Sequence, residues 1–171
     1  SALHKALFDK ENINVALLNI GSEELKGNAV IKETYQFLND NKYSLFHFKG
    51  YIEGNNIMDG KVNVIVADGF TGNIALKTAE GTSNFIINEL KSALSSSLIG
   101  KLSSLINFRN LNSFKKKLDP RLYNGAILLG LDKPVIKSHG STDSIGFANS
   151  LKVCEKTIRG KLIDRIKQNI L

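Results

Sequence analysis

The sequence is poor in the residues that several classes of protein require. Of its 171 residues, one is cysteine, two are proline and none is tryptophan. Because Cys154 is the single cysteine, an internal disulfide is excluded, and with no signal-peptide pattern we expect a reducing, cytoplasmic environment. No stretch approaches the ~20 consecutive apolar residues that a spanning helix needs. We therefore expect a protein that is soluble or lies on a membrane surface.

Motifs for metal and nucleotide chemistry are also lacking. No set of histidine, cysteine and carboxylate residues has the spacing of metal ligands. Neither a phosphate loop ending in Gly-Lys-Ser/Thr nor a Gly-x-Gly-x-x-Gly fingerprint occurs. Cys154 falls on an apolar helix face with Leu151 and Ile158, which favours an inert thiol. We expect no metal and no cofactor.

The charge balance points to anionic partners. The chain has 23 lysine and arginine residues against 16 aspartate and glutamate residues, a formal net charge of +7. That excess favours phosphate ligands, an acidic protein, anionic lipid or nucleic acid. Its length suits one domain. Residues 1–8 resemble the end of a helix with no starting methionine, so we expect an upstream portion to be missing.

Short apolar runs alternate with helical patterns along the chain. Strands are predicted at residues 15–20, 45–52, 62–68, 126–131 and 135–137, and helices over 28–39, from about Asn73 and from about Thr142. This alternation predicts an α/β fold with a sheet buried on both faces. Ligands of such sheets normally lie beyond the carboxyl ends of the strands. We expect loops 21–28, 53–60, 68–73 and 137–143 there, binding a phosphate or an oxyanion.

Several residues in these loops could carry chemistry, and most of them also have a plainer interpretation. Lys26 is either a point charge for phosphate or carboxylate, or a solvated surface lysine. Asp68 could orient a lysine or cap the next helix. Gly69 and Gly72 could admit a ligand, or only form a tight turn with Asn73 as the N-cap. His139 is the most promising of the three histidines, because it lies at a strand-to-helix turn.

Several motifs together resemble one enzyme family. They are "LLNIGSEELKGN", "GYIEGNNI", "VNVIVADGFTGNIALKTAEG" and "LLGLDKPVIKSHGSTDSIGFANSL". From about Val15 to Leu151 they resemble the carboxy-terminal half of the phosphate acyltransferases of bacterial phospholipid synthesis, the PlsX family. The chain departs from this family in lacking an amino-terminal half and in having Ile127 where proline is usual. The resemblance implies that residues 1–171 are the carboxy-terminal part of a single domain.

The resemblance also implies a fold and a reaction. The fold would be a three-layer α/β/α, Rossmann-like arrangement related to phosphotransacetylases and isocitrate/isopropylmalate dehydrogenases. The enzyme would be a homodimer that moves a fatty acyl group from acyl carrier protein to inorganic phosphate, without a cofactor. We expect the 171-residue chain alone to be inactive.

Roles for individual residues follow from the same resemblance. Lys26 and Asn73 are the first candidates for catalysis, and His139 is a further one. Phosphate or the oxyanion would be bound by the remaining candidates, namely Asn28, Asp68, Gly69, Gly72, Lys137 and Ser138. An oxyanion and a bound phosphate both require positive potential and hydrogen-bond donors, which explains the glycines and the amide of the "DGFTGN" loop.

A basic amphipathic segment is predicted over residues 85–118. Residues 91–117 contain six basic residues and no acidic one, and leucines recur there at three- and four-residue steps. The stripe could attach the protein to the inner face of an anionic membrane through Leu98, Leu102 and Lys115 to Lys117. Alternatively, it could pack in a dimer interface or on the core.

Two other functions remain open beside the acyltransferase. A non-catalytic membrane-surface or assembly fragment would use the basic segment without any chemistry. Nucleic-acid binding fits the net charge, but basic patches interleaved with aromatics are absent outside Phe108 and Phe114, so we expect no nucleic-acid partner.

Overall fold

The computed structural model describes residues 1–140 and 142–170, which form two compact units. The first contains residues 1–72 and the chain from residue 159 onward, and the second contains residues 73–158. Helix α3 (Gly69–Ser95) begins in the first unit and contributes most of its residues to the second.

A parallel three-stranded sheet is the centre of the first unit. Its strands are β1 (Asn14–Asn19), β2 (His47–Glu53) and β3 (Val64–Val66), in the order β2-β1-β3. Strand β1 pairs with both neighbours in parallel, which places Val15 opposite Phe48 and Val64. Because β1 is central, its side chains from Val15 to Asn19 are all buried. This continuous burial explains why Val15 to Leu18 form an uninterrupted apolar run.

Three helices complete the first unit. Helix α2 (Ala29–Asp40) connects β1 to β2, as the parallel pairing of these strands requires. Helices α1 (Ala2–Phe8) and α7 (Leu162–Ile170) contact each other. Ala2, Ala6 and Leu162 are buried there, since small alanine side chains allow the two helices to approach closely. Residues 54–59 add a turn of 3-10 helix after β2.

The second unit is mostly helical. After α3 come α4 (Leu98–Ile106), α5 (Phe108–Lys117) and a 3-10 turn at Pro120–Tyr123. Strands β4 (Ala126–Ile127) and β5 (Ile136–Lys137) follow, and helix α6 (Ser144–Arg159) ends the unit. The buried residues of α6 are Gly146, Ser150 and Thr157.

The α/β class predicted from the alternation is confirmed, including a parallel sheet with helices. The last two predicted strands differ from expectation. Strands β4 and β5 have only two residues each and pair antiparallel with each other, apart from the three-stranded sheet. Gly130 adopts φ 84° between them and the N–H of Leu128 donates to the Val135 carbonyl at 3.0 Å. Such a short connection reverses the chain, whereas parallel pairing needs a crossover of about a dozen residues.

Candidate functional site

The loop that contains Lys26 is fixed by a buried asparagine. Asn19, the last residue of β1, is only 5% exposed and its side-chain amide donates to the Lys26 carbonyl at 3.1 Å. Gly27 has φ 93°, and a Cβ built on it would lie 2.5 Å from Asn19 Oδ1. The loop therefore needs glycine next to Lys26, for its backbone conformation and for the space that Asn19 occupies. The side chain of Lys26 is exposed.

Asn28 and Asp68 are both helix caps in the first unit. Asn28 Oδ1 accepts the N–H of Ile31 at 2.9 Å at the start of α2. Asp68 Oδ1 accepts the N–H groups of Phe70 and Thr71, each at 2.9 Å, at the start of α3. The capping interpretation of Asp68 is therefore confirmed. The Thr71 hydroxyl, which donates to Asp68 at 2.5 Å, and these N–H groups lower the pKa of the Asp68 carboxyl.

The start of α3 corrects one expectation. The sequence predicts a helix from about Asn73, preceded by a glycine turn, but α3 begins at Gly69. Asn73 therefore lies in the second turn of the helix and is not its N-cap. The Gly72 N–H donates to the Asp68 carbonyl at 2.9 Å, so the backbone donor expected from Gly72 is used within the helix. Gly69 faces open space, where a ligand could approach the backbone.

In the second unit, Asn124 organises the loop that contains His139. Its side-chain amide donates to Ser138 Oγ at 3.0 Å, Thr142 Oγ1 at 3.1 Å and the Gly146 carbonyl at 2.9 Å. Its Oδ1 accepts the backbone N–H of His139 at 3.0 Å. One side chain thus connects the end of β5, the loop and the first turn of α6. Lys137 ends β5 with its side chain exposed, and Ser141 lies outside the described residues.

Helix α3 reaches the same loop through a lysine. Asn73 and Lys77 are four residues apart on α3 and so lie on one side of it. The Lys77 amine contacts Nε2 of His139 and forms an ion pair with Glu80 at 2.7 Å. The structure therefore brings Ser138 and His139 together with Lys77 and Asn124, two residues that the sequence did not single out.

A cluster of ion pairs around Arg121, in the segment before β4, supports this loop. Arg121 forms ion pairs with Asp119 at 2.7 Å and with Asp143 at 2.8 Å. Asp143 Oδ1 also accepts the Gly146 N–H at 2.9 Å, and this bond, followed by Arg121, lowers the pKa of the Asp143 carboxyl. Arg121 holds the pKa of Asp119 low in the same way. The sequence carried only one sign of this cluster, an Asp-Pro pair that is typical of a turn.

The basic segment is helical but not continuous. Helix α3 ends at Ser95, and Ser97 begins α4 by accepting the Gly100 N–H at 3.0 Å. The single leucine stripe expected from the spacing is therefore divided. Leu90 and Leu94 line a groove of about 320 Å³ with Leu111, Phe114 and Lys115, whereas Leu98 and Ile99 are 85% and 81% exposed.

Sequence comparisons decide the family. The family model described as "Fatty acid synthesis protein" matches residues 1–165. The chain belongs to this family. The predicted resemblance is confirmed, because curated relatives of the chain are named phosphate acyltransferase. These matches include both loops, that of Lys26 and that of His139.

Three relatives illustrate the similarity. The phosphate acyltransferase of Pelagibacter ubique is 65% identical over 170 residues, covering 99% of this chain and 51% of that protein. That of Maricaulis maris is 42% identical, covering 99% of this chain and 48% of the relative. That of Paramagnetospirillum magneticum is 44% identical over 164 residues, covering 96% and 46%. The chain thus spans about half the length of these curated relatives.

Metal-ligand clusters and membrane-spanning helices are both absent from the described residues. No group of three or more histidine, cysteine, aspartate or glutamate residues among residues 1–140 and 142–170 could hold a metal ion. Within the same residues, no helix combines the length and apolar character needed to cross a membrane.

Proposed function

We propose that this chain takes part in transferring a fatty acyl group from acyl carrier protein to inorganic phosphate, giving acyl phosphate for phospholipid synthesis. The observation that carries the proposal is the 65% identity to the phosphate acyltransferase of Pelagibacter ubique, which extends over 99% of this chain. We further propose that the α/β fold is a three-layer, Rossmann-like arrangement of the isocitrate/isopropylmalate dehydrogenase type, which the parallel order β2-β1-β3 supports.

The proposed reaction has simple chemical requirements. A phosphate oxygen attacks the thioester carbonyl carbon, a C–O bond forms, and the C–S bond breaks to release the carrier thiol after protonation of its thiolate. Phosphate is already ionised near neutral pH, so no strong base is needed. The protein must instead hold an anion and stabilise the negative charge that develops on the carbonyl oxygen.

In the first unit, Lys26 suits the role of phosphate ligand. Its charge is exposed and its backbone is fixed by buried Asn19, so the position of the lysine is defined while its amine can reach solvent. Gly69 leaves the backbone accessible at the start of α3, and Gly72 adds no side chain in the same turn. We assign Asn28 and Asp68 supporting roles, since both hold helix starts.

In the second unit, Asn73 suits the role of oxyanion donor. Its amide is exposed on α3, a rigid element, and a neutral donor aimed at developing charge is typically worth a few kcal/mol in the barrier. Lys137, Ser138 and His139 follow as a polar loop that Asn124 holds in place. We propose that this loop binds substrate and that His139 participates in catalysis.

Trapping acyl phosphate as a hydroxamate tests these roles in an active preparation that contains this chain. Lys26→Ala and Asn73→Ala should each lower turnover by about 100-fold or more while the fold stays intact. Lys42→Ala and Asn84→Ala are matched controls on exposed positions of the same two units, and should retain full activity. Unchanged turnover in Asn73→Ala would exclude Asn73 as the oxyanion donor.

A second candidate function is reversible attachment to the inner, cytoplasmic face of an anionic membrane. The observation that favours it is the exposure of Leu98, Leu102 and Leu105 on α4, close in sequence to Lys115, Lys116 and Lys117 at the end of α5. Each basic residue near an anionic leaflet contributes up to about 1 kcal/mol, and buried leucines would add to it. If the chain is a non-catalytic fragment, membrane attachment would be its function.

Vesicle co-sedimentation at low and high salt tests attachment. We expect binding to anionic vesicles that weakens as salt screens the charges. Replacing Leu98, Leu102 and Lys115 to Lys117 by serine should abolish it, while the control Leu131→Ser with Lys133→Ser should not. Equal binding by all three proteins, or none to anionic vesicles, would assign the exposed leucines to packing in a dimer or against another polypeptide.

A further inference from the structure

The contact between Lys77 and His139 constrains the protonation of the imidazole. An ammonium group has three donors and no acceptor, so the nitrogen that it contacts must accept. The contacted atom is Nε2 of His139. The same amine also lies 2.7 Å from the Glu80 carboxylate, as an ion pair. Of the two neutral tautomers of His139, only the one with its proton on Nδ1 leaves Nε2 able to accept from an ammonium group.

The backbone of His139 is held independently of its ring. Asn124 accepts the His139 N–H and donates to Ser138, Thr142 and Gly146, at distances from 2.9 to 3.1 Å. The two amide hydrogens of Asn124 thus lie near three acceptors, and its Oδ1 accepts from the loop backbone. This arrangement fixes the loop that presents the imidazole to Lys77. Loss of Asn124 should therefore loosen the Lys77 contact as well.

We propose that Lys77 and Asn124 are positioning residues for His139, which together orient its imidazole and select the tautomer with the proton on Nδ1. The Nε2 lone pair is then engaged by Lys77 and does not serve as a general base. This inference rests on the proposed function only where it gives His139 a part in the reaction. It agrees with the chemistry, because an ionised phosphate needs no base.

Nitrogen-15 NMR of the histidine rings at pH 8 tests the tautomer without any assay of activity. At this pH an ordinary imidazole is neutral, so the two ring nitrogens report only which of them carries the proton. The chain has three histidines, and His139→Gln identifies the signals of His139 by their loss. We expect the Nδ1–H pattern for His139. The Nε2–H pattern would overturn the proposal.

Variants of Lys77 and Asn124 then test which residue causes the Nδ1–H tautomer of His139. Lys77→Met should abolish the Nδ1–H preference, Lys77→Arg should retain it because a guanidinium is also only a donor, and the control Lys91→Met on the same helix should leave it unchanged. Asn124→Ala should abolish it, and its control Asn149→Ala should not. A retained pattern in Lys77→Met, or in folded Asn124→Ala, would exclude that residue as the cause.

Turnover separates this inference from the proposed function. Loss of activity in His139→Gln concerns the catalytic role of His139, whereas the ring spectra concern only its tautomer. If Asn124→Ala does not fold, Lys77→Met still tests the tautomer of His139. Lys77 is exposed, so we expect its replacement to leave the fold intact.

Discussion

At the scale of single residues, two asparagines determine how the candidate loops are presented. Asn19 in the first unit donates to the Lys26 carbonyl, and Asn124 in the second bonds to both sides of the His139 loop. Asn124 both donates and accepts, so it connects two segments of backbone, whereas Asn19 fixes its loop through its amide donor. Neither asparagine needs to touch substrate for its replacement to reduce activity.

Gly27→Ala should destabilise the protein by about 1–3 kcal/mol, because φ 93° is unfavourable for alanine and the added methyl group meets Asn19. Urea denaturation measures the change. Gly60→Ala is the matched control, since Gly60 also has positive φ, 69°, but has open space around it. A loss no greater than that of Gly60→Ala would contradict the proposed role of Asn19 in shaping the loop.

At the scale of elements, the start of α3 is set by Asp68. Its carboxylate accepts two backbone N–H groups and the Thr71 hydroxyl, which completes the first turn of the helix before Asn73 is reached. A negative charge at a helix N-terminus is also favoured by the helix dipole. The N–H groups of Phe70 and Thr71 are therefore already bonded within this turn.

The lowered pKa of Asp68 predicts a pH dependence of stability. A carboxyl whose pKa is lower in the folded state stabilises the fold fully above its ordinary value of 3.8, and this stabilisation is lost as pH falls through the folded pKa. Asp68→Asn still accepts hydrogen bonds but does not titrate. The difference in urea midpoint between the native chain and this variant should therefore narrow below pH 3.8.

Thr71→Val provides the control for that experiment. It removes the hydroxyl that is the largest cause of the lowered pKa and keeps the size of the side chain. The acid-induced loss of stability should then be smaller than in the native chain and should end at a higher pH, because the folded pKa of Asp68 lies closer to 3.8. An identical pH profile in both proteins would show that the Thr71 hydroxyl does not stabilise the ionised form of Asp68.

At the scale of the whole molecule, large apolar side chains are exposed in both units. Phe70 in the first unit is 79% exposed and Phe85 in the second is 64% exposed. Exposed apolar area of this kind commonly marks an interface. We propose that it is covered by a second copy in a homodimer and by the portion of the curated relatives that this chain does not span.

A complementation experiment tests that proposal. The 171-residue chain alone should not turn over acyl carrier protein thioesters. Addition of the amino-terminal half of the Pelagibacter ubique relative should raise the rate by about 100-fold or more, if that half supplies part of the binding surface. The matched control is the same addition to the Lys26→Ala chain, which should stay inactive. Full activity of the chain alone would contradict the proposal.

Hydrophobic periodicity by itself determined the parallel strands and the class of the fold, because β1 is a continuous apolar run and α2 follows it with Asn28 as its cap. The motifs identified the family because each is a contiguous stretch of sequence that can be recognised without the structure. The Asp68 cap is a local contact that the sequence already offered as one alternative, whereas only the tertiary structure decided that β4 and β5 form a hairpin and that Asn124 holds His139. The Asn124 bonds join residues 14 to 22 positions apart, and such contacts leave no periodic signal in a sequence.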